Sequence, residues 1–458
     1  MRENNKKSDK IVVSICLACV FFVFFSAILM AFTRLVLVKK FGIKNAFTDI
    51  LFAGNDILNN GDEYADADQG NFTADIDWRS LYPFMYEDGE VVEEKNTIID
   101  TYKDLVLQTE DRISPYVSKF IVGYDKEIEL AKSYESLIGW NFVSFSEYNG
   151  ISMMSDGYLT EFNEEKETDE WADSLISFNR FVKNRGIEFL YIQAPYKVSE
   201  YDDADISGYV DFSNQNANNM INIASASEVD VCDLRECIHS EGIHNHDMFY
   251  RTDHHWLTTS GLWGAQKILK YCNENYGFKA DTDILNLDQF DQKLYPEWFL
   301  GSQGKKVTLS ITTPDDFVLL YPKYDTEFHY VVPARNIDDV GDYSICYDMD
   351  QIEKKDLYRL SPYAGCNYGD QPVLTIDNTM ANDDKKILII HDSFGDCLIS
   401  ALALCEKRVD SLDIRHFTGS VESYIKKADP DIVMVMYNAG SIGGEIDWSS
   451  HQSTFDFR

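Results

Sequence analysis

Basic residues are scarce in this 458-residue chain, and their scarcity excludes one large class of function. Lysine and arginine together number 41 against 77 aspartates and glutamates, which gives a formal net charge of -36 at pH 7. Nucleic-acid binding needs clustered Lys and Arg that neutralise phosphates, so the composition argues against it. A hydrophobic content of 45% excludes a chain that is disordered throughout.

Cysteines are too few for a dense disulfide framework. The chain has nine, and two of them, Cys16 and Cys19, lie inside an apolar run. The other seven are an odd number, so they cannot all pair within one chain. Cys232 and Cys237 are close enough in sequence for a local disulfide, which we predict. Cys346 and Cys366 are a second candidate pair.

No metal-binding signature is recognisable either. Two protein families share part of the segment Asp253-His-His-Trp256, but a metal-dependent phosphoesterase would also need Asp-rich metal motifs, and a palmitoyltransferase would need Cys in place of Trp256. Several histidines lie close in sequence with spacings that fit no zinc signature: His239, His244, His246, His254 and His255. We predict no metal and no cofactor, and a metal-dependent hydrolase is the weakest of the alternatives.

One long apolar run is present, over residues 11–32, and it contains no charge. It is about long enough to cross a bilayer. Because it is longer than the apolar part of a usual signal peptide, we favour an uncleaved anchor over a cleaved one. Basic residues flank it on both sides, so charge does not set its orientation. We expect a single-pass protein of the cell membrane with its C-terminal domain extracellular.

The remaining chain divides by its patterns into further regions. Residues 1–44 form the predicted cytoplasmic tail and anchor, and residues 45–134 an acidic tether followed by a helical stalk, for which an interaction surface is the alternative. Residues 135–458 form the main domain. Within it, residues 277–380 break the pattern and predict an inserted β-rich lobe, with strands at 307–311, 317–321 and 327–332.

Strands and helices alternate along the rest of the main domain. Buried strands are predicted at 187–195, 229–234, 387–390 and 431–437, and helices at 168–184, 214–226 and 397–405, with another helix starting at Thr258 or Thr259. This alternation indicates an α/β fold whose parallel sheet is flanked by helices. In such sheets, ligand sites lie at the carboxyl ends of the strands.

Two segments bring reactive side chains to such ends. Asp253 and His255 are two residues apart, so in extended backbone they face one side and His254 faces another. A carboxylate can orient an imidazole that acts as a base, and Ser393 follows a buried strand where a helix begins. We predict the triad Ser393, His255 and Asp253. The alternatives are a buried ion pair at Asp253 and a helix cap at Ser393.

Three further residues have weaker predicted roles. Gly395 and the amide of Asn438 are candidates for the oxyanion site, although a turn-forming Asn before Gly440 is the favoured interpretation of Asn438. Lys197 is a candidate for holding substrate or the loop that carries the triad, and a solvated lysine is the alternative.

These motifs resemble a known family. Asp253-His-His-Trp256 followed by Thr-Thr-Ser-Gly, with His391-Asp-Ser393-Phe-Gly395 downstream and Ala194-Pro-Tyr-Lys197 upstream, resembles the DHHW-type proteins and the SGNH-hydrolase-like domains of alginate O-acetylation proteins. The resemblance covers roughly residues 135–445. It implies the roles given above to Asp253, His255 and Ser393. The chain departs from the alginate proteins in carrying His391 and Asp392 where they have small residues.

The resemblance also implies a function. We expect a serine O-acetyltransferase or esterase that acts on a surface polysaccharide, with a membrane-bound O-acyltransferase as acyl supplier. The alternative is a non-catalytic glycan-binding or assembly factor with the same fold. An aromatic content of 14% suits sugar stacking and suits a core equally.

Overall fold

The computed structural model describes residues 151–154, 156–202, 211–448 and 453–458. The predicted anchor, tether and stalk lie outside the described residues. None of the described helices could span a bilayer.

Twelve strands and eight α-helices make up the described part of the chain. The strands are β1 (Ile151–Met153), β2 (Leu159–Glu161), β3 (Glu188–Ala194), β4 (Val231–Asp233), β5 (Phe290–Phe299), β6 (Asp315–Pro322), β7 (Phe328–Val332), β8 (Ile337–Gly341), β9 (Val373–Asn378), β10 (Asp383–His391), β11 (Glu406–Leu412) and β12 (Ile432–Asn438). The helices are α1 (Asp169–Lys183), α2 (Ser213–Ala226), α3 (Leu234–Ser240), α4 (Thr258–Asn275), α5 (Ser302–Val307), α6 (Met349–Glu353), α7 (Ile399–Cys405) and α8 (Val421–Ala428).

Eight strands form one sheet, in the order β4-β3-β12-β10-β11-β9-β7-β8. The first five run parallel, and β9, β7 and β8 add to them antiparallel. The predicted parallel sheet is thus found in five strands, but the whole sheet is mixed, because strands from the predicted insertion extend it instead of forming a lobe of their own. β5 and β6 do pair apart from it, as a separate antiparallel ribbon.

The central strand β10 buries both of its faces. Ile387 and Ile389 belong to the hydrophobic cluster that includes α4 and α7, whereas Leu388 and Ile390 belong to the cluster that includes α1 and α8. Successive side chains of a strand point to opposite faces, so an uninterrupted apolar run is what a strand between two helical layers requires. Each such side chain stabilises the fold by about 1.5–3 kcal/mol.

The helices predicted at 168–184 and 214–226 are confirmed as α1 and α2, to within a residue at each end. The strand predicted at 307–311 is wrong, because α5 occupies residues up to Val307 and a turn follows. Strand β11 was not predicted at all.

Two loops meet at the carboxyl end of β10. One follows β10 directly. The other is a tight loop formed by residues 248–257 and closed by a bridge between Phe249 and Trp256. Trp256 is fully buried and its indole N–H donates to the carbonyl of Phe394 at 3.0 Å. This bond fixes the two loops to one another, and they carry the site.

Candidate active site

Ser393 stands at the first position of a short 3-10 helix that follows β10 directly. Asp392 caps this helix, and its Oδ1 accepts the backbone N–H of Phe394 at 3.0 Å. Gly395 is required here by close packing, because a Cβ at this position would lie 2.2 Å from Nδ1 of the buried His391. The strand and the tight turn together leave Ser393 partly exposed between buried neighbours.

The structure brings the three predicted triad residues together. Nε2 of His255 lies 2.6 Å from Oγ of Ser393, and Nδ1 of the same ring lies 2.5 Å from Oδ1 of Asp253. Both distances are within hydrogen-bonding range. The imidazole therefore connects the hydroxyl to the carboxylate.

Asp253 is buried and its carboxylate is fully engaged. Its Oδ1 also accepts the backbone N–H of His255 at 3.0 Å, and its Oδ2 accepts the backbone N–H of Ser302 at 2.6 Å. Burial alone would raise the pKa of Asp253, but the adjacent imidazoles of His254 and His255 hold that pKa well below its ordinary value. The chain at Gly301 passes so close that a Cβ there would lie 2.2 Å from Cβ of Asp253.

Lys197 is buried and holds the loop that carries Asp253. Its ammonium donates to the carbonyl of Leu159 at 2.6 Å, to the carbonyl of Asp253, and to Oε1 of Gln303 at 3.0 Å. Burial lowers the pKa of Lys197 to about 7, opposed by the carboxylate of Asp253. These contacts support a role for Lys197 in holding the loop that carries the triad rather than a role in binding substrate.

Tyr363 was missed by the sequence reasoning. Its ring stacks on His255 with 4.1 Å between ring centroids and an angle of 17°, and its hydroxyl donates to the carbonyl of Ser393 at 3.1 Å. It thus contacts the predicted base and the residue that carries the hydroxyl. It begins a short 3-10 helix, Tyr363–Gly365, and no spacing in the sequence connects it to either motif.

His254 does not point away from His255, so that prediction is wrong. The two rings lie 3.8 Å apart between centroids, tilted by 38°. Residues 251–255 form a series of bends rather than an extended strand, and the alternation expected of extended neighbours does not apply to them.

The two predicted oxyanion residues have other hydrogen-bond partners. The side-chain amide of Asn438 donates to Oδ2 of Asp392 and to Oγ of Ser441, both at 2.7 Å, which uses both of its N–H donors. The backbone N–H of Gly395 donates to the carbonyl of Asp392 at 2.9 Å. Both residues shape the turn around Ser393, and neither has a donor to spare.

Two clusters in the described ranges carry enough ligand-type side chains for a metal ion. In the first, Asp253 and His255 are joined by a direct hydrogen bond, which leaves no space for an ion between them. In the second, formed by Asp370, Asp413 and His416, the guanidinium of Arg415 already pairs with both carboxylates. Neither cluster is therefore assigned a metal.

The seven cysteines of the described region are all free thiols. The predicted Cys232–Cys237 disulfide is thus not formed in this structure. The interaction with the Cys237 side chain, together with burial, raises the pKa of the Cys232 thiol. The two cysteines lie on β4 and α3, away from the loops that carry Ser393 and His255. A disulfide between them under oxidising conditions stays a prediction.

Comparison with known proteins supports the resemblance that the motifs indicated. Residues 154–282 match the family model described as the SGNH hydrolase-like domain of the acetyltransferase AlgX. The resemblance to these SGNH-like proteins is confirmed. The matched residues include Lys197, Asp253 and His255, whereas Ser393 lies beyond them.

The fold is similar to that of PatB1 from Bacillus cereus, which superposes with a TM-score of 0.53 at 19% identity, covering 67% of this chain and 99% of that one. A DHHW family protein from Eubacterium siraeum reaches 0.48 at 18% identity, over 63% and 89% of the two chains. The O-acetyltransferase domain of Pseudomonas putida AlgJ reaches 0.36 at 15% identity, over 66% and 94%. No curated protein matches the sequence.

Proposed function

We propose that this protein is a membrane-anchored, extracytoplasmic serine O-acetyltransferase or esterase that acts on a cell-surface polysaccharide. The observation that carries the proposal is the continuous hydrogen-bonded row from Ser393 Oγ through His255 to Asp253, at 2.6 Å and 2.5 Å. A serine hydroxyl is a weak nucleophile until a base takes its proton, and this row supplies the base and the group that orients it.

The first half of the reaction makes an acyl-enzyme. Nε2 of His255 takes the proton of the Ser393 hydroxyl while Oγ attacks the carbonyl carbon of the acyl donor. The imidazolium is stabilised by the carboxylate of Asp253 and then gives its proton to the leaving group of the donor. The acyl group remains as an ester on Ser393.

In the second half, a sugar hydroxyl takes the place of the leaving group. His255 accepts the hydroxyl proton, the sugar oxygen attacks the ester carbonyl, and the proton returns to Ser393 as the ester bond breaks. With water in place of the sugar, the same steps give hydrolysis, so one site supports transferase and esterase activity.

Both halves pass through an intermediate with a negatively charged oxygen. The backbone N–H of Ser393 opens the 3-10 helix and has no acceptor among the described residues, whereas those of Phe394 and Gly395 are both engaged. We assign the Ser393 N–H as a donor to this oxygen, where each well-placed donor contributes about 3 kcal/mol.

The family match supports acetyl transfer, because the matched model is described as that of an acetyltransferase. The polysaccharide acceptor, the membrane-bound O-acyltransferase as supplier and the N-terminal anchor rest on the resemblance and the apolar run, and they are part of the proposal.

The test is acetyl transfer from a small activated ester to the isolated surface polysaccharide of the producing cell. Ser393→Ala should lower turnover by about a thousandfold or more, because the members of a triad act as a unit. Ser225→Ala, an exposed serine on α2, is the matched control and should keep full activity. Binding of the polysaccharide without any transfer would favour the glycan-binding alternative and contradict the proposal.

A further inference from the structure

His254 and His255 both direct Nδ1 of their rings toward the carboxylate of Asp253. Nδ1 of His255 lies 2.5 Å from Oδ1 of Asp253, and Nδ1 of His254 lies 3.7 Å from that same oxygen. The two ring centroids are 3.8 Å apart. The ring of His254 therefore lies directly beside the ring whose Nε2 contacts Ser393.

The contacts of His254 favour a proton on its Nδ1. Its Nδ1 contacts Oγ of Ser302 at 2.9 Å, and the nearby carboxylate of Asp253 favours a proton on this nitrogen. Nε2 is then an acceptor, and it has no partner among the described residues.

His254 is also the open member of the group. Its side chain is 36% exposed, against 12% for His255 and 4% for Asp253. A hydrogen-bond acceptor that is fixed on one side by Ser302 and open on the other has the properties of a group that binds substrate.

We propose that His254 binds the acceptor sugar and selects one with two adjacent hydroxyl groups. This inference rests on the proposed function. The attacking hydroxyl gives its proton to His255, while the neighbouring hydroxyl donates a hydrogen bond to Nε2 of His254. Two imidazoles side by side thus match a vicinal diol, and His254 orients the sugar for attack without itself taking a proton.

The experiment compares two acceptors in the full-length protein. Acetyl transfer from p-nitrophenyl acetate is measured with a methyl pyranoside that has the vicinal diol and with its deoxy analogue that lacks one of the two hydroxyls. The readout is the ratio of kcat/KM for the two acceptors within each variant, so that general losses of activity cancel. The wild-type ratio should be about ten, the value of one neutral hydrogen bond.

The variants distinguish the effect of the acceptor nitrogen of His254 from the effect of its ring packing on His255. His254→Phe keeps a ring against His255 but removes the acceptor, and its ratio should fall to about one. His254→Asn keeps a polar side chain and should recover part of the preference. His416→Phe, an exposed histidine elsewhere on the surface, is the control and should keep the wild-type ratio.

The outcomes distinguish the two proposals. A wild-type ratio near one, or an unchanged ratio in His254→Phe, would overturn the role of His254 while leaving acyl transfer intact. If no acetyl ester forms on Ser393 in the wild-type protein, the proposed function fails and this inference fails with it.

Discussion

The carboxylate of Asp392 accepts two hydrogen bonds from Asn438, one from its backbone N–H at 2.9 Å and one from its side-chain amide at 2.7 Å. These residues follow and end the neighbouring parallel strands β10 and β12. The other carboxylate oxygen of Asp392 holds the N–H of Phe394. One buried side chain therefore fixes the turn that carries Ser393 to the next strand of the sheet.

Removal of the Asn438 side chain should loosen this turn. Asn438→Ala leaves the backbone donor in place but deprives a buried carboxylate of one partner, which should cost about 1–3 kcal/mol of stability. Turnover should fall about tenfold or more, because Ser393 would no longer be held at the distance that proton transfer requires. Urea denaturation and initial rates measure the two effects.

The matched control for that variant is Asn275→Ala, whose amide donates to a backbone carbonyl at an exposed helix end. It should change stability by less than about 0.5 kcal/mol. Equal losses in the two variants would contradict the role given to Asn438.

The buried amine of Lys197 should be required to hold the loop that carries Asp253 in place. Lys197→Met keeps the length of the side chain but leaves the carbonyls of Leu159 and Asp253 without their donor. Unfolding free energy should drop by about 3 kcal/mol or more, and turnover should fall with it at temperatures where the variant is still folded. Thermal unfolding and initial rates at low temperature test this.

An exposed lysine provides the comparison for Lys197. Lys407 pairs loosely with Asp384 at 3.6 Å on the surface, and Lys407→Met should leave stability within about 0.5 kcal/mol of the wild type. A Lys197→Met protein that is as stable and as active as Lys407→Met would show that the buried amine is dispensable.

Glu406 should make the protein less stable as the pH rises. It is fully buried at the start of β11, neither carboxyl oxygen has a hydrogen-bond partner among the described residues, and burial raises its pKa to about 9. Between the ordinary value of 4.5 and about 9, the folded protein therefore binds a proton that the unfolded chain has lost. The free energy of unfolding is therefore highest at the low-pH end of that window. Across the window it declines by up to about 1.4 kcal/mol per pH unit because of Glu406.

Glu406→Gln removes this titration. The difference in unfolding free energy between the variant and the wild type should shift in favour of the variant as the pH rises from 5 to 9 in urea titrations. Glu274→Gln, at an exposed position of α4, is the control substitution. A difference for Glu406→Gln that does not change with pH would mean that the carboxyl is ionised throughout.

The local features of the site could be predicted because they depend on short spacings. Asp253 and His255 are two residues apart, and Ser393 follows an apolar run long enough for a buried strand. These patterns indicate a base with its orienting acid and a hydroxyl at the end of a strand. They contain no information on Tyr363 or Ser302, whose contacts with the site depend on how distant loops fold back.

The elements that the sequence patterns missed or misplaced each have a physical reason. β11 begins with Glu406, Lys407 and Arg408, and these charges conceal the strand, in which Arg408 pairs with Asp377 and Asp410. The antiparallel edge of the sheet was also missed, since strand order depends on pairing between residues far apart in sequence. His254 was misplaced because bends in residues 251–255 replace the extended backbone assumed for them.

The most direct test of the account is the site of acylation. Wild-type protein is incubated with p-nitrophenyl acetate, quenched in acid and analysed by peptide mass spectrometry, alongside Ser393→Ala, His255→Ala and the control Ser225→Ala. The proposed triad should give one acetyl group on the peptide containing Ser393 in the wild type and the control, none in Ser393→Ala, and acetylation slowed at least a hundredfold in His255→Ala. Equal acetylation of folded Ser393→Ala, or none at Ser393 in the wild type, would contradict it.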